Sequence, residues 1–133
     1  MDSLSFISLG GVGDVTKNMS VYSYGNEILL VDCGIGFVDE SMPGVDLVIP
    51  NVSYLKQTDK KIVGMVLTHG HEDHIGSLPF ILPQLPDNFP IFATNLTATF
   101  ANAKLKEFKM GGRVQKTDFN KPFNVGSFNA MFI

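Results

Sequence analysis

Short apolar runs alternate with turn residues along this chain, a pattern typical of a β-sheet with helical connections. Apolar residues occupy alternate positions in the first run, and similar runs recur further along the sequence. Gly25 and Asn26 lie between the second and third runs and form a two-residue hairpin signal. The pattern predicts β-strands over residues 3–9, 19–24, 27–33, 62–67 and 91–94.

The remaining periodic stretches predict helices over 51–57, 75–85 and 95–108, and last strands over 113–117 and 125–133. Asn51 and Asn95 are candidate N-caps. Because a glycine and two prolines lie in the middle helix, we expect it to be short or irregular. The long helix should bury the face that carries Leu96, Phe100, Ala103 and Leu105. Residues 34–61 otherwise predict an extended excursion from the sheet.

Composition indicates a globular chain of 133 residues, which is one domain or part of one. It is 44% hydrophobic and 17% charged, and no apolar run approaches the ~20 residues of a membrane span. We therefore expect no membrane partner. No signal peptide is recognisable, and the single cysteine, Cys33, excludes an intrachain disulfide. Both features fit a cytoplasmic location. Cys33 lies in an apolar run, which favours a small buried residue over a metal ligand.

The net charge of −3 is unevenly distributed. Residues 1–103 carry four lysines against eleven acidic residues, whereas residues 104–133 carry six basic residues against two acidic ones. This segment could follow a phosphate backbone, although a solvated helix face and strand edge is the favoured interpretation. The basic side chains are Lys104, Lys106, Lys109, Arg113, Lys116 and Lys121.

All three histidines fall within six residues, directly after the strand predicted over 62–67. His69 and His71 are alternate residues of an extended loop, so they can converge on one metal ion. Asp73 and His74 follow as the chain turns into a helix and can face a second ion. Two adjacent metals suit phosphodiester hydrolysis, because they hold both the attacking and the leaving oxygen. The alternative, a packed core histidine, explains one such residue better than three.

Two further features near the histidines have open interpretations. Glu72 is either a supporting hydrogen-bond partner or a solvated charge. The glycine-rich stretch 10–14 is either a simple turn or a loop that lines the site, because glycine lets backbone approach a ligand closely. It does not match the dinucleotide-binding spacing, and the histidine cluster does not match the zincin motif.

The sequence His69-x-His71-x-Asp73-His74 resembles the signature of the metallo-β-lactamase superfamily. The surrounding residues resemble the N-terminus of ribonuclease J, a family that joins this fold to a β-CASP nuclease domain. The resemblance implies an α/β fold, the αββα sandwich, of which residues 1–133 would be the N-terminal portion, without the remaining ligands and the β-CASP domain. The stretches that carry the resemblance are 9–14, 17–19, 44–50, 53–55 and 67–79.

This resemblance also implies a function and its residues. The parent protein would be a zinc-dependent ribonuclease, with 5′-exonuclease and endonuclease activity on RNA, that uses a metal-bound hydroxide. Two Zn²⁺ would fill the complete site, with Mn²⁺ as an alternative, and a homo-oligomer is expected of the full-length protein. His69 and His71 would bind the first metal, and Asp73 and His74 would bind the second and be catalytic. Asp32 would support the histidine loop, or else cap its strand, and the loop lining the site would contain Gly11, Gly13, Asp14, Lys17 and Asn18.

Two other functions remain open. Another hydrolase of the superfamily, acting on a thioester or lactam, is the first, although the segment 46–50 favours the ribonuclease. The second is a non-catalytic metal-binding or interaction fragment, because no histidine outside 69–74 can supply a third imidazole ligand. We therefore expect the 133-residue chain to be inactive alone.

Overall fold

The computed structural model describes residues 3–10, 19–34, 52–70, 72–86, 88–111 and 113–133, with backbone only at 72 and 73. The strands are β1 (Leu4–Gly10), β2 (Met19–Tyr24), β3 (Glu27–Val31), β4 (Lys61–Val66), β5 (Ile91–Thr94), β6 (Val114–Thr117), β7 (Phe123–Val125) and β8 (Phe128–Ala130). The helices are α1 (Ser53–Gln57), α2 (Glu72–Ile75), α3 (Leu78–Ile81) followed by a 3₁₀ turn (Leu82–Gln84), and α4 (Asn95–Glu107).

Strands β1 to β6 form one mixed sheet in the same order as in the sequence. The first three pair antiparallel, and the predicted hairpin turn at Gly25 and Asn26 joins β2 to β3. From β3 to β6 the pairing is parallel, and each of the three connections contains at least one helix. Because parallel strands end at the same edge of a sheet, the segments after β3, β4, β5 and β6 are brought together.

Helices cover one face of this sheet. Alternate strand residues such as Leu30, Met65 and Ile91 are fully buried there. They pack in one hydrophobic cluster with residues of the helices, including Leu78 of α3 and Leu105 of α4. Because successive strand residues point to opposite faces, these side chains share one side of the sheet.

A two-stranded sheet, β7 paired antiparallel with β8, covers part of the opposite face. Val125 is buried there with Leu29 and Val66, and partly buried aromatic residues, including Phe92 and Phe123, surround them. The order of layers, helices then sheet then second sheet, confirms the predicted α/β class. No helix in the described parts of the chain has the length and apolar character to span a bilayer.

The region predicted as one helix over 75–85 is broken instead: it begins at the last residue of α2 and continues with α3 and the 3₁₀ turn. Pro79 lies in the first turn of α3, and Pro83 lies in the first turn of the 3₁₀ segment. A missing N–H costs no hydrogen bond at such a position. The prediction that this helix is irregular is confirmed. The third strand ends at Val31 rather than at residue 33, because the backbone turns at Asp32.

The predicted buried face of the long helix is wrong except at Leu105. Leu96 is 67% exposed and Phe100 is 49% exposed, whereas α4 buries Thr97, Ala98 and Ala101. Small side chains on this face let the helix approach β5 and β6 closely, and tertiary packing therefore outweighed the apolar periodicity.

The prediction of a single strand over 125–133 is also wrong, because this region contains the turn and second strand of a hairpin. Gly126 has φ +56°, a left-handed conformation that glycine adopts readily, and it reverses the chain between β7 and β8. The turn is held by Glu27, whose carboxylate accepts hydrogen bonds from the Ser127 hydroxyl and from its backbone N–H, the latter at 3.3 Å.

The basic segment is mostly solvated, in line with the favoured interpretation. Lys106, Lys109, Lys116 and Lys121 are exposed. Arg113 has a structural role, because its guanidinium donates a hydrogen bond to the Phe89 carbonyl at 3.0 Å and lies 4.6 Å from the centre of the Phe89 ring.

Candidate metal centre

The predicted histidine loop lies at the carboxyl edge of the parallel strands. Asp32 follows β3 directly, and Thr68 and His69 follow β4. These two strands are neighbours, paired from Glu27 and Lys61 to their last residues with one register shift after Ile28. Residues that are 36 positions apart in the sequence therefore meet within hydrogen-bonding distance at the strand ends.

Asp32 has a backbone conformation that non-glycine residues seldom adopt. Its φ of 65° is left-handed, a region in which Asp and Asn are several-fold enriched. The Asp32 N–H still donates to the Val66 carbonyl at 2.9 Å, so the parallel pairing continues to the last residue of β4. The left-handed turn ends β3 at the residue whose carboxylate accepts hydrogen bonds from the loop after β4. Such strain costs roughly 1–3 kcal/mol and persists where surrounding contacts compensate.

The Asp32 carboxylate is the centre of a hydrogen-bond network. The Thr68 backbone N–H donates to Oδ1 at 2.7 Å, and the Thr68 hydroxyl donates to Oδ2 at 2.7 Å. His74 Nδ1 lies 2.9 Å from the same Oδ2. Asp32 is only 6% exposed, and hydrogen bonds to a charged acceptor are the stronger kind. The carboxylate thus ties the loop after β4 to helix α2.

The His69 and His74 rings lie side by side. Their centres are 4.7 Å apart and their planes are inclined by 42°. His69 Nδ1 is 3.1 Å from the Thr68 hydroxyl oxygen, and the side chain of His74 is 19% exposed. Because Nδ1 of each ring faces an oxygen of this network, Nε2 is the nitrogen through which a metal would bind.

Three hydrogen bonds fix α2 and the residues that follow it to the end of β3. Cys33 N–H donates to the His74 carbonyl at 2.7 Å. In return, the Ser77 N–H and the Ser77 hydroxyl both donate to the Cys33 carbonyl, at 3.0 and 2.9 Å. These bonds hold His74 beside Asp32 by its main chain as well as by its side chain.

Cys33 itself is a buried structural residue, as the sequence predicts. It is fully buried, and its sulfur lies 3.2 Å from the Ser77 hydroxyl oxygen. Burial raises the pKa of the Cys33 thiol to about 12, only partly offset by the Ser77 hydrogen bond. A neutral thiol is a poor metal ligand, which disfavours Cys33 in that role.

An open hollow adjoins His69. It has a volume of about 380 Å³, and its lining combines Thr68, His69 and Gly70 with the apolar side chains Leu96, Phe100, Phe119 and Ile133. Gly70 packs closely on Phe100, because a Cβ added at Gly70 would lie 2.7 Å from the Phe100 Cδ2 atom. The ring of Phe100 thereby limits where the histidine loop can run.

Several predicted residues lie outside the described residues. His71 is one, and the side chains of Glu72 and Asp73 are two others, although the backbone at 72 and 73 belongs to α2. The predicted loop Gly11, Gly13, Asp14, Lys17 and Asn18 also falls outside them. Within the described residues, no group of three or more His, Cys, Asp or Glu side chains converges on one point.

Sequence reasoning did not identify Thr68 or Gly70 as part of the site. For Thr68, the available signal was its position, directly between the end of a buried strand and the first histidine. A hydroxyl at a strand end is a common local hydrogen-bonding group, so this signal alone is weak. For Gly70, only the contact with Phe100 of α4 reveals the constraint.

The donor chemistry of the described residues fits a divalent transition metal. Imidazole nitrogens suit zinc, and metal-binding histidines typically donate their other ring N–H to a carboxylate or similar oxygen. His74 makes that contact with Asp32, and His69 makes its counterpart with the Thr68 hydroxyl.

Comparison with known proteins gives three findings. The profile of the metallo-beta-lactamase superfamily matches residues 12–126. Ribonuclease J of Thermus thermophilus is 47% identical over 110 residues, which is 80% of this chain and 19% of that protein. Ribonuclease J of Corynebacterium glutamicum is 35% identical over 131 residues, which is 98% of this chain and 18% of that protein. The chain spans about a fifth of the length of these curated relatives.

Among solved structures, a protein of unknown function from Enterococcus faecalis V583 superposes with a TM-score of 0.67. The match covers 97% of this chain and 36% of that one, at 15% sequence identity, and it therefore shows a shared fold alone. The profile match confirms the predicted fold type, and the relatives confirm the resemblance to ribonuclease J.

Proposed function

Because the chain belongs to the metallo-beta-lactamase superfamily, we propose that the protein to which it contributes is a metal-dependent ribonuclease that hydrolyses phosphodiester bonds of RNA. The superfamily implies use of a divalent metal, and the similarity to ribonuclease J of two organisms supports a nuclease over a hydrolase of small molecules. Both 5′-exonuclease and endonuclease activity belong to the proposal.

The proposed metal is zinc, with manganese as the alternative. His69 and His71 would hold one ion, and Asp73 and His74 would hold the other. When bound, the pair would supply a water of lowered pKa, near ~7, and positive charge that offsets the charge developing on the phosphate. One observation carries the assignment: the buried Asp32 carboxylate lies 2.9 Å from Nδ1 of His74, an arrangement typical of histidines that bind metals through Nε2.

The role that we propose for this chain's described residues is to position and orient. Asp32 holds the His74 ring and accepts two hydrogen bonds from Thr68, which stabilises the turn before His69. Cys33 and Ser77 hold the start of the helical region against the end of β3 through backbone hydrogen bonds. Residues fixed in this way need little rearrangement when a metal and a substrate bind.

Other parts of the proposal concern the parent protein. RNA is its proposed partner, and the cytoplasm its proposed location, in keeping with the single buried thiol at Cys33. The domain assignment, residues 1–133 as the N-terminal portion of a metallo-β-lactamase domain, and the homo-oligomer also stay predictions.

The test is a comparison of hydrolase activities and metal content in the full-length protein. RNA with a 5′-monophosphate, a thioester and a lactam would be offered side by side, with zinc measured per chain. We expect RNA cleavage and near two zinc ions, with both reduced in His69→Ala and Asp73→Ala. Asp59→Ala, which removes an exposed carboxylate from the turn before β4, is the matched control and should behave as wild type.

The outcomes separate the alternatives. Thioester or lactam hydrolysis without RNA cleavage would identify another hydrolase of the superfamily. Zinc retained undiminished in both ligand variants would contradict the metal assignment. The 133-residue chain, assayed in parallel, should show no RNA cleavage. Cleavage by that chain would refute the prediction that it is inactive alone.

A further inference from the structure

We propose that the Thr68 hydroxyl is a positioning group that sets the tautomer of His69 and, together with Asp32, that of His74. Both rings would then carry hydrogen on Nδ1 and offer Nε2 to a metal. This inference rests on the proposed metal site, but it concerns the state of the chain before any metal binds. The evidence is the number of hydrogen bonds that the Thr68 hydroxyl oxygen can donate and accept.

The Thr68 hydroxyl has a single proton and several oxygen or nitrogen neighbours. Asp32 Oδ2 lies 2.7 Å away, His69 Nδ1 lies 3.1 Å away, and His74 Nδ1 lies 3.4 Å away. An ionised carboxylate can only accept, and it is the strongest acceptor of the three. The hydroxyl therefore donates to Asp32, and only its lone pairs remain for the histidines.

The consequence for each histidine follows from that count. A neutral imidazole has one N–H and one bare nitrogen. His69 Nδ1 faces an oxygen that has already donated its proton, so the hydrogen must be on His69 Nδ1. His74 Nδ1 faces Asp32 Oδ2 at 2.9 Å, which accepts only, so the hydrogen is again on Nδ1. The nitrogen without hydrogen is Nε2 in both adjacent rings.

The geometry holds Thr68 in place for this role. Its backbone N–H donates to Asp32 Oδ1 at 2.7 Å while its hydroxyl donates to Oδ2, so the carboxylate is bound at two points. The preceding residue, Leu67, is fully buried and donates its N–H to the Phe92 carbonyl at 3.0 Å. A threonine side chain is also restricted at its first torsion angle, which limits the directions that the hydroxyl can take.

The experiment uses the full 133-residue chain, whose three histidines make a simple spectrum. Nitrogen-15 histidine labelling and two-bond correlation NMR, at a pH where the rings are neutral, report which nitrogen carries hydrogen in each ring. Wild type should show the Nδ1–H form at His69 and His74. Thr68→Val keeps the shape and removes the hydroxyl, so His69 should shift toward the Nε2–H form, whereas Thr68→Ser should retain Nδ1–H.

Zinc affinity, measured by competition with a chromophoric chelator, gives a second result. Loss of a supporting partner of a metal-bound histidine typically weakens binding by about 10- to 100-fold. We expect that loss in Thr68→Val and a change below about threefold in Thr68→Ser. Thr99→Val is the matched control, because Thr99 is exposed on α4 and its hydroxyl donates only locally, to the Asn95 carbonyl.

Three results would overturn the inference. They are a wild-type spectrum with Nε2–H at His69, an unchanged His69 tautomer in folded Thr68→Val, and wild-type zinc affinity in that variant. If Thr68→Val fails to fold by circular dichroism, the wild-type and Thr68→Ser spectra still decide. If wild type binds no zinc while its His69 is Nδ1–H and responds to Thr68, the tautomer assignment stands, and the metal proposal is decided by the zinc content of the full-length protein.

Discussion

The two sides of the histidine loop are built in opposite ways. On one side, which we call the polar base, the loop contacts the buried carboxylate of Asp32 through directed hydrogen bonds of 2.7 to 2.9 Å. On the other side, which we call the apolar wall, exposed hydrophobic side chains line a hollow of about 380 Å³ together with Thr68, His69 and Gly70. The polar base consists of Asp32, Cys33, Thr68, His74 and Ser77, and the apolar wall of Leu96, Phe100, Phe119 and Ile133.

The polar base fixes the orientation of side chains, whereas the apolar wall only limits the space beside them. Hydrogen bonds to a buried charge fix angles and tautomers, because each donor has one favourable direction. Apolar contacts limit volume without fixing direction, and the wall residues are largely exposed, with Leu96 at 67% and Phe119 at 61%. His69 belongs to both sides, since its Nδ1 faces Thr68 and its ring lines the hollow. Substitutions in the polar base should therefore have larger effects than those in the wall.

The largest effect is expected at the centre of the polar base. Asp32→Ala removes the acceptor of three hydrogen bonds and leaves their donors partly buried, which should destabilise the chain by about 3 kcal/mol. Asp32→Asn keeps the shape and one accepting oxygen, and it should cost less. Urea unfolding measures both. An Asp32→Ala cost no larger than that of Asp59→Ala would mean that the base does not organise the loop.

A pH dependence is expected from Cys33. Its pKa is raised from 9.0 to about 12 in the fold, so the folded thiol stays neutral while the unfolded one ionises. Folding with a raised pKa contributes stability that is complete below pH 9 and is lost progressively from pH 9 to about 12. Between pH 9.5 and 10.5 wild type should lose about 1 kcal/mol more stability than Cys33→Ala.

Comparing the two proteins at each pH removes the contribution of lysines and tyrosines, which both share. Equal slopes in wild type and Cys33→Ala would contradict the buried, neutral thiol and with it the tight contact between β3 and the segment around Ser77.

A smaller effect is expected where the loop meets the apolar wall. Gly70→Ala places a Cβ 2.7 Å from Phe100 Cδ2, and the half-exposed ring can move outward in response. We expect a cost of about 1 kcal/mol, at the low end for overpacking. In the double variant with Phe100→Ala this cost should vanish. A cost that persists without the ring would place the constraint in the loop backbone instead of in the wall.

The smallest effect is expected from Phe100→Ala alone. The ring is 49% exposed, so its removal should lower the free energy of unfolding by about 0.5 to 1 kcal/mol, below the cost of a buried aromatic residue. Leu105→Ala on the opposite, buried face of the same helix is the matched comparison and should cost about 2 to 5 kcal/mol. A Phe100 effect equal to that of Leu105 would remove the distinction between the two sides of the loop.

Local patterns were enough to predict the strands that enclose the site. Short apolar runs identify β2 through β5, and Gly25 and Asn26 identify the hairpin, because both signals depend on neighbours in the sequence. The long helix shows the limit of periodicity. Its apolar residues Leu96 and Phe100 point to one face, but the fold buries Ala98 and Ala101 because close packing on the sheet favours small side chains.

What the sequence by itself determined is the chemistry at the end of β4, a dense run of imidazole and carboxylate groups, since its members are adjacent along the chain. The resemblance also singled out Asp32 as a supporting residue. Only the tertiary structure decided how those groups are arranged, by ending β3 and β4 at one edge and bringing Asp32 to Thr68 and His74. Contacts between distant residues depend on strand order and on one left-handed turn, neither of which local periodicity encodes.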